Sequence, residues 1–141
     1  MQYIYLNDYK HFAKELPACV KNELLTSSRE LLRCFLKLSC VNKYGGIASE
    51  ADIELKRPIG DIRSRKAVFI RQGSDLFHFF AGQKSLSIYQ KLLSLFNDPN
   101  LTYKKFITMS EKMILEFVKG DNDNSILFYD HNNDIIEYAY E

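Results

Sequence analysis

A group of basic side chains near the middle of the chain could act on RNA. The group consists of Arg63, Arg65, Lys66, Arg71 and His78. Arginine and lysine can stabilise the negative charge that develops on a phosphate during its cleavage, and histidine can transfer a proton near neutral pH. The stretch from Lys56 to Arg71 carries six basic residues against the single acid Asp61. These residue types predict a face that contacts nucleic acid, and one hypothesis is cleavage of RNA without a metal.

The C-terminal end of the chain has the opposite charge. From Gly120 to Glu141 there are six acids and no lysine or arginine. Carboxylates steer a basic protein towards its binding surface, and tyrosine rings supply contact area. The candidate protein-binding residues are Asp121, Asp123, Tyr129, Asp130, Asp134, Glu137, Tyr138 and Tyr140. An alternative is that the acidic and basic regions face each other within the fold.

Metal, cofactor and thiol chemistry find little support in the residue spacing. No C-x-x-C or H-x-x-x-H motif is present, and neither glycine-rich phosphate-binding motif occurs. The run from Asp121 to Ser125 has the spacing of a calcium loop, but Ile126 occupies the position of the required glycine. The three cysteines accompany apolar stretches and are expected to be small buried side chains. We therefore predict no metal and no cofactor.

Composition indicates one globular domain over residues 1–141. The chain has 46% hydrophobic residues, 26% charged residues and a net charge of +1. No apolar run approaches the roughly 18 residues that a membrane span needs. The N-terminus lacks the pattern of a secretory signal, and an odd number of cysteines favours reduced thiols. We expect a cytoplasmic protein that does not enter a membrane.

In the N-terminal half, the residue pattern predicts a strand followed by helices. MQYIYL alternates like a strand, and DYKHFAKEL and ACVKNELL are helical in character. Ser27 and Glu30 have capping-box spacing before a helix to about Val41, which the glycines of Tyr44-Gly45-Gly46 should end. Residues 47–65 are expected to be a mostly exposed connection, with either a helical turn at Ser49 or a strand at ADIEL.

The segment Lys66 to Ala81 predicts a β-hairpin with Gly73-Ser74 as its turn. The predicted pairs are Gln72 with Asp75, Arg71 with Leu76, Ile70 with Phe77, Phe69 with His78 and Val68 with Phe79. This register places Val68, Ile70, Phe77 and Phe79 on the core face. The other face carries Phe69, Arg71, Leu76, His78 and Phe80. A competing interpretation is a helix through DLFHFFAGQ, capped by Ser74.

Two amphipathic helices and a second hairpin are predicted in the C-terminal half. Ser85 or Ser87 could cap the first helix, and Thr102 could cap the second, which continues to about Lys119. SILFYD and IIEYAYE should pair around Asn132-Asn133. The predicted class is α+β: a small antiparallel sheet, made of two hairpins and an N-terminal strand, packed against three to four helices.

Three segments together resemble the RelE/HigB class of bacterial mRNA-cleaving toxins. They are MQYIYL, the helices up to Val41 and RKAVFIRQGSDLFHFFAGQKS. In that class an N-terminal strand and two helices precede a small antiparallel sheet with basic residues. The resemblance covers at most about 80 residues of general pattern. It implies a metal-independent endoribonuclease or an RNA-binding protein.

The residues favour a different leading hypothesis, a non-enzymatic intracellular protein-binding module. The absence of a catalytic motif, the near-neutral total charge and the charged patches of both signs motivate it. In its sharper form, the protein is an inhibitor of the immunity or antitoxin kind that neutralises a basic partner such as a nuclease toxin. Cleavage or binding of RNA through the basic stretch is the alternative.

Overall fold

The computed structural model describes residues 16–21, 26–50, 53–56, 65–72, 75–121, 125–129 and 136–138. Its helices are α1 (Thr26–Tyr44), α2 (Ser87–Ser94) and α3 (Tyr103–Lys119), with 3₁₀ turns at Ala18–Val20 and Leu95–Asn97. Its strands are β1 (Gly46–Ser49), β2 (Ile53–Leu55), β3 (Ala67–Gln72), β4 (Asp75–Gly82), β5 (Ile126–Tyr129) and β6 (Ile136–Tyr138). None of the described helices is long and apolar enough to cross a membrane.

Four strands form the main sheet in the order β1–β4–β3–β5. The first three are antiparallel, and β5 lies parallel to β3. Because parallel neighbours need a long crossover, the connection runs through β4, α2 and α3. The predicted α+β class, with an antiparallel sheet packed against helices, is confirmed.

The structure differs from the predicted second hairpin. In the described residues β5 pairs with β3, while β6 pairs with β2 in a separate two-stranded ribbon. We call this β2–β6 pair the ribbon. β5 has four consecutive apolar or aromatic residues, a composition that suits a strand covered on both faces, and this explains why it joins the main sheet. The predicted N-terminal strand and the helix DYKHFAKEL lie outside the described residues.

The β3–β4 hairpin is confirmed, but a bulge changes its register. Gln72 faces Asp75 as predicted, whereas Ile70 faces Phe79 instead of Phe77. Three residues of β4, Leu76 to His78, therefore stand opposite Arg71 alone. The competing helix from Ser74 is wrong, because residues 75–82 form a strand.

The bulge also changes which side chains reach the helices. The predicted core face was Val68, Ile70, Phe77 and Phe79. In the structure Phe77 instead joins Phe69 and Phe80 in the main core, with its ring 5.1 Å from that of Phe106 in α3. The other three predicted core residues are no more than 1% exposed as well. Of the other predicted face, Phe69, Leu76 and Phe80 are 0% exposed, so both faces of the hairpin are buried at these positions.

Aromatic contacts join the helices to the sheet. The ring of Phe80 in β4 lies 6.4 Å from that of Tyr89 in α2. Phe96 contacts Phe106 at 4.8 Å and Phe35 of α1 at 5.2 Å. Each such pair stabilises the fold by roughly 0.5–1.5 kcal/mol beyond the contribution of its buried apolar area. This aromatic core fixes the position of the main sheet relative to all three helices.

Helix ends follow the sequence signals only in part. Gly45 has φ +70° and its N–H donates to the carbonyl of Val41, which ends α1 as predicted. Thr102 caps α3 as predicted, by accepting from the N–H of Lys105. Ser27 does not cap α1, since the helix begins at Thr26 and the Ser27 hydroxyl accepts from the N–H of Tyr103. Neither predicted serine caps α2, whose N-cap position is Leu86.

Part of the predicted exposed connection forms strands. Residues 46–49 are β1, which pairs with β4, and residues 53–55 are β2. The alternative of a strand at ADIEL is thus confirmed for its last three residues. Ser49 itself pairs with Phe79 in the sheet, and the rest of the alternative helical turn includes residues 51–52, which lie outside the described residues.

Candidate functional site

The bulge of β4 is held by polar side chains from several elements. The ammonium group of Lys37 donates to the carbonyl of Phe77 at 2.8 Å and contacts the carboxylate of Glu50. The N–H of Glu50 donates to the carbonyl of His78 at 3.0 Å. The N–H of Phe77 donates to Asp75 Oδ1 at 2.7 Å. These bonds satisfy backbone groups at the bulge that regular strand pairing does not serve.

Asp75 also binds two side chains next to the bulge. Its Oδ2 lies 3.2 Å from Nε2 of His78 and accepts a hydrogen bond from the hydroxyl of Tyr103. Burial raises the pKa of Asp75, but the hydrogen bonds from His78, Tyr103 and the Phe77 N–H outweigh burial and lower it overall. The hydrogen bond to Asp75 raises the pKa of His78. The side chain of His78 is 38% exposed.

A histidine oriented by a carboxylate is an arrangement that acid–base catalysis uses. The thiol of Cys34 is not suited to act as a nucleophile, because burial strongly raises its pKa and keeps it neutral. Among the described residues, no His, Cys, Asp and Glu side chains group as a metal site requires. Asp75 binds three partners within the fold, and these bonds support the bulge structurally.

The described basic residues of the predicted RNA face contact other parts of the protein. Arg71 forms an ion pair of 2.7 Å with Glu111 of α3, and its guanidinium lies 5.2 Å from the ring centre of Phe128. The ammonium group of Lys66 lies 5.9 Å from the ring centre of Phe117. Arg65 is half-buried, and Arg63 lies outside the described residues.

Among the predicted protein-binding residues, Asp121 has a structural role. The carboxylate of Asp121 accepts from the N–H of Ile126 at 2.9 Å and from the Ser125 hydroxyl at 3.2 Å, so it fixes the start of β5. Tyr129 lies in β5 opposite Ile70. Four further candidates lie outside the described residues, namely Asp123, Asp130, Asp134 and Tyr140.

The ribbon contains the remaining two protein-binding candidates. Tyr138 stands opposite Ile53, and Glu137 stands opposite Glu54. Two glutamates in directly opposite positions repel each other and destabilise an antiparallel pair. On β2, Glu54 is exposed and Leu55 is 38% exposed. The ribbon therefore places two acids at register partners and has an accessible apolar side chain on β2.

Sequence reasoning missed the roles of Lys37, Glu50 and Tyr103. A usable signal was present for Lys37, which stands three residues after Cys34 and four before Val41, on the buried face of α1. A lysine at such a position is expected to meet an acid or a carbonyl group. No comparable local signal identifies Glu50 or Tyr103, because their partner residues are distant in sequence.

Comparison of this chain with protein-family models, with curated proteins and with solved structures finds no match of any of the three kinds.

Proposed function

We propose that this is a cytoplasmic binding protein whose ribbon docks a basic protein partner. The observation that supports this most directly is the register that sets Glu54 opposite Glu137. A lysine or arginine from a partner, placed between the two glutamates, would replace their mutual repulsion by attraction. A pairing that is unfavourable in the free protein would then be favourable in the complex.

Apolar contact area and charge both support the proposal. Leu55 is 38% exposed on β2, and β6 carries Tyr138. Protein interfaces combine apolar or aromatic anchors with a charged rim that steers association. The chain segment to which β6 belongs, from Gly120 to Glu141, has six acids and no lysine or arginine, which extends its negative charge. A two-stranded ribbon is marginally stable alone in water, so a partner strand or surface would also stabilise it.

The sharper form of the proposal is an inhibitor of the immunity or antitoxin kind. A nuclease presents lysines and arginines to bind phosphates, and an acidic ribbon can occupy the same groups. The inhibitor then acts by covering the nucleic-acid surface of its partner. Under this proposal the chain has no catalytic residue of its own.

Cleavage of RNA by the chain itself is the alternative proposal, and the half-exposed His78 is the feature that favours it. It requires Arg71 to leave Glu111 and His78 to act while bonded to Asp75. Both basic groups already have acidic partners in the fold, so the protein-binding proposal has the better support.

The test is capture of the partner by tagged wild-type protein, Glu54→Arg and the matched control Glu116→Arg. Glu116 is an exposed acid of α3 that lies outside the ribbon. Extracts of the source organism are first treated with nuclease, so that nucleic acid cannot bridge proteins. We expect wild type and Glu116→Arg to retain one basic protein in equal amounts. Glu54→Arg should retain at least about ten-fold less, and retention should fall with salt.

Two outcomes contradict the proposal. One is a retained protein that is acidic or insensitive to Glu54→Arg. The other is cleavage of purified RNA by the wild-type protein that His78→Ala abolishes, which would establish the alternative. Circular dichroism of each variant confirms that the comparison is made between folded proteins.

A further inference from the structure

The exposed face of α3 carries three lysines that the ribbon does not involve. Lys104, Lys112 and Lys119 are all exposed. With 3.6 residues per turn, these positions fall within about 80° of one another around the helix. Along the axis they are separated by about 12 Å and about 10 Å. We call this surface the lysine face.

The charges of the lysine face are not neutralised within the described part of the chain. Two other charged residues of α3 stand before Glu116 in the chain. Lys105 forms an ion pair with Asp98, and Glu111 forms one with Arg71. No ion pair joins any residue of the lysine face to an acid among the described residues. Glu111 falls about 20° from Lys104 around the helix, but Arg71 offsets its charge, so Glu116 is the one acid of α3 without an ion pair in the described structure. Three positive charges therefore lie along roughly 22 Å of helix with a single unpaired negative charge beside them.

We propose that the lysine face contacts the phosphate backbone of a nucleic acid without reading its bases. Lysine ammonium groups bind phosphates as point charges, and their flexible stems adapt to different phosphate positions. A strand of phosphates can meet all three lysines along the length of the helix. This surface goes beyond the ribbon and its basic protein partner, and it does not depend on that proposal.

A protein partner fits the lysine face less well. Lysine is depleted from protein interfaces, where aromatic residues and arginine provide the anchors. The exposed side of α3 has no aromatic residue, and Met109, 38% exposed, is its one large exposed apolar side chain in the described structure.

A membrane surface is also a poor fit. An interfacial helix inserts its apolar side into the lipid. The apolar side of α3 is committed to the core, where Phe106 and Ile114 have 0% exposure. A polyanion that binds through charge alone and needs no insertion therefore fits the lysine face better than a protein or a membrane does.

The test is fluorescence anisotropy with labelled duplex DNA, single-stranded DNA and single-stranded RNA of one sequence. Three phosphate contacts predict that log Kd rises with log salt concentration with a slope of about 2.7 for the duplex and about 2.1 for single strands. A similar binding strength for unrelated sequences is expected. A preference between the three probes identifies which nucleic acid the face fits best.

Single substitutions measure how much each of the three lysines contributes to nucleic-acid binding. Lys104→Gln, Lys112→Gln and Lys119→Gln should each lower the salt slope by about one, and each should weaken binding on the order of ten-fold near 20 mM salt. Lys91→Gln makes the same charge change on an exposed residue of α2 and should have little effect. Glu116→Gln removes the acid beside the face and should strengthen binding.

The proposal is overturned if no probe binds near 20 mM salt, or if Lys91→Gln weakens binding as much as the α3 variants. Equal or tighter binding of poly-glutamate or of vesicles with anionic lipid would also overturn it, in favour of an acidic protein or a membrane. All substituted residues are exposed, so circular dichroism should show unchanged folding. Failure of this test leaves the capture experiment with Glu54→Arg unaffected.

Discussion

Lys37 is the residue on which the bulge of β4 depends most. It is 3% exposed, yet its ammonium group reaches both the Glu50 carboxylate and the carbonyl of Phe77. A buried charge is tolerated only with such partners, because removal from water is costly. The same lysine links α1 to the segment between β1 and the ribbon.

Replacing Lys37 should therefore destabilise the protein strongly. Lys37→Met keeps most of the side-chain volume but leaves the Phe77 carbonyl and Glu50 without their donor, at an expected cost of about 2–4 kcal/mol. Urea denaturation measures the free energy of unfolding. The exposed control Lys91→Met should change it by less than about 0.5 kcal/mol. Equal effects of the two variants would show that the Lys37 network is not stabilising.

The pair of Asp75 and His78 predicts a dependence of stability on pH. Because His78 has a raised pKa in the folded state, its contribution is fully present below about pH 6.5 and is lost as pH rises through the folded-state value. Because Asp75 has a lowered pKa, its contribution is present above about pH 3.9 and is lost as pH falls through the folded-state value. The ion pair is complete between these limits. Lys37 and Glu50 also act on His78, in opposite directions.

Denaturation of wild type and His78→Gln from about pH 5 to about pH 9 measures this effect. We expect wild type to be more stable at pH 5 by up to about 1 kcal/mol, since the histidine is partly exposed, and the difference should shrink with rising pH. In an Asp75→Asn background the difference should no longer shrink with rising pH, because burial, which lowers the pKa of His78, is then no longer outweighed by the carboxylate. A difference that grows with pH would contradict the assigned ion pair.

At the scale of elements, the packing of α2 on β4 depends on Gly82. A Cβ at this position would lie 1.9 Å from the hydroxyl oxygen of Tyr89 and 3.1 Å from the carbonyl of Lys66. The Tyr89 hydroxyl is itself buried without a hydrogen-bond partner in the described structure. Glycine is thus required by the approach of Tyr89, although its φ is ordinary.

Gly82→Ala should destabilise the protein by about 2 kcal/mol or more, because the ring or the strand must move. Tyr89→Phe should be neutral or stabilising, since it removes an unsatisfied buried hydroxyl. Combined, the two changes should cost at least about 1 kcal/mol less than Gly82→Ala alone. Thermal or urea denaturation of the three variants provides the test. Strict additivity would contradict the contact between Gly82 and Tyr89.

The elements could be predicted from sequence to the extent that their signals are local. Helical periodicity and the glycines after Tyr44 identify α1, and alternation around Gly73 identifies the β3–β4 hairpin. The bulge could not be predicted, because Lys37 and Glu50 stabilise it from distant parts of the chain. The pairing of β5 with β3 was missed for a similar reason: the prediction relied on the local turn signal of Asn132-Asn133, whereas the tertiary fold decides which strand covers β5.

For the whole molecule, the distribution of charge connects fold and function. Part of the basic stretch meets α3, where Arg71 pairs with Glu111. The exposed Glu54 of the ribbon, whose register partner is Glu137, and the lysine face of α3 carry charges of opposite sign. The sequence indicated the sign of each region correctly, but the residues that share a surface depend on strand register and helix rotation, which only the fold determines.

The most direct test of the protein-binding proposal is photo-crosslinking from the ribbon. A photoreactive phenylalanine analogue replaces Leu55 in β2 or, as the control, Met109 in α3, since both side chains are 38% exposed. After irradiation in nuclease-treated extract of the source organism, we predict a single crosslinked basic protein from position 55 that is absent from position 109. When Glu54→Arg is introduced into the same chain as the analogue at position 55, the crosslinked product should disappear. No product at position 55, or the same products from both positions, would contradict the assignment of the ribbon as the binding surface.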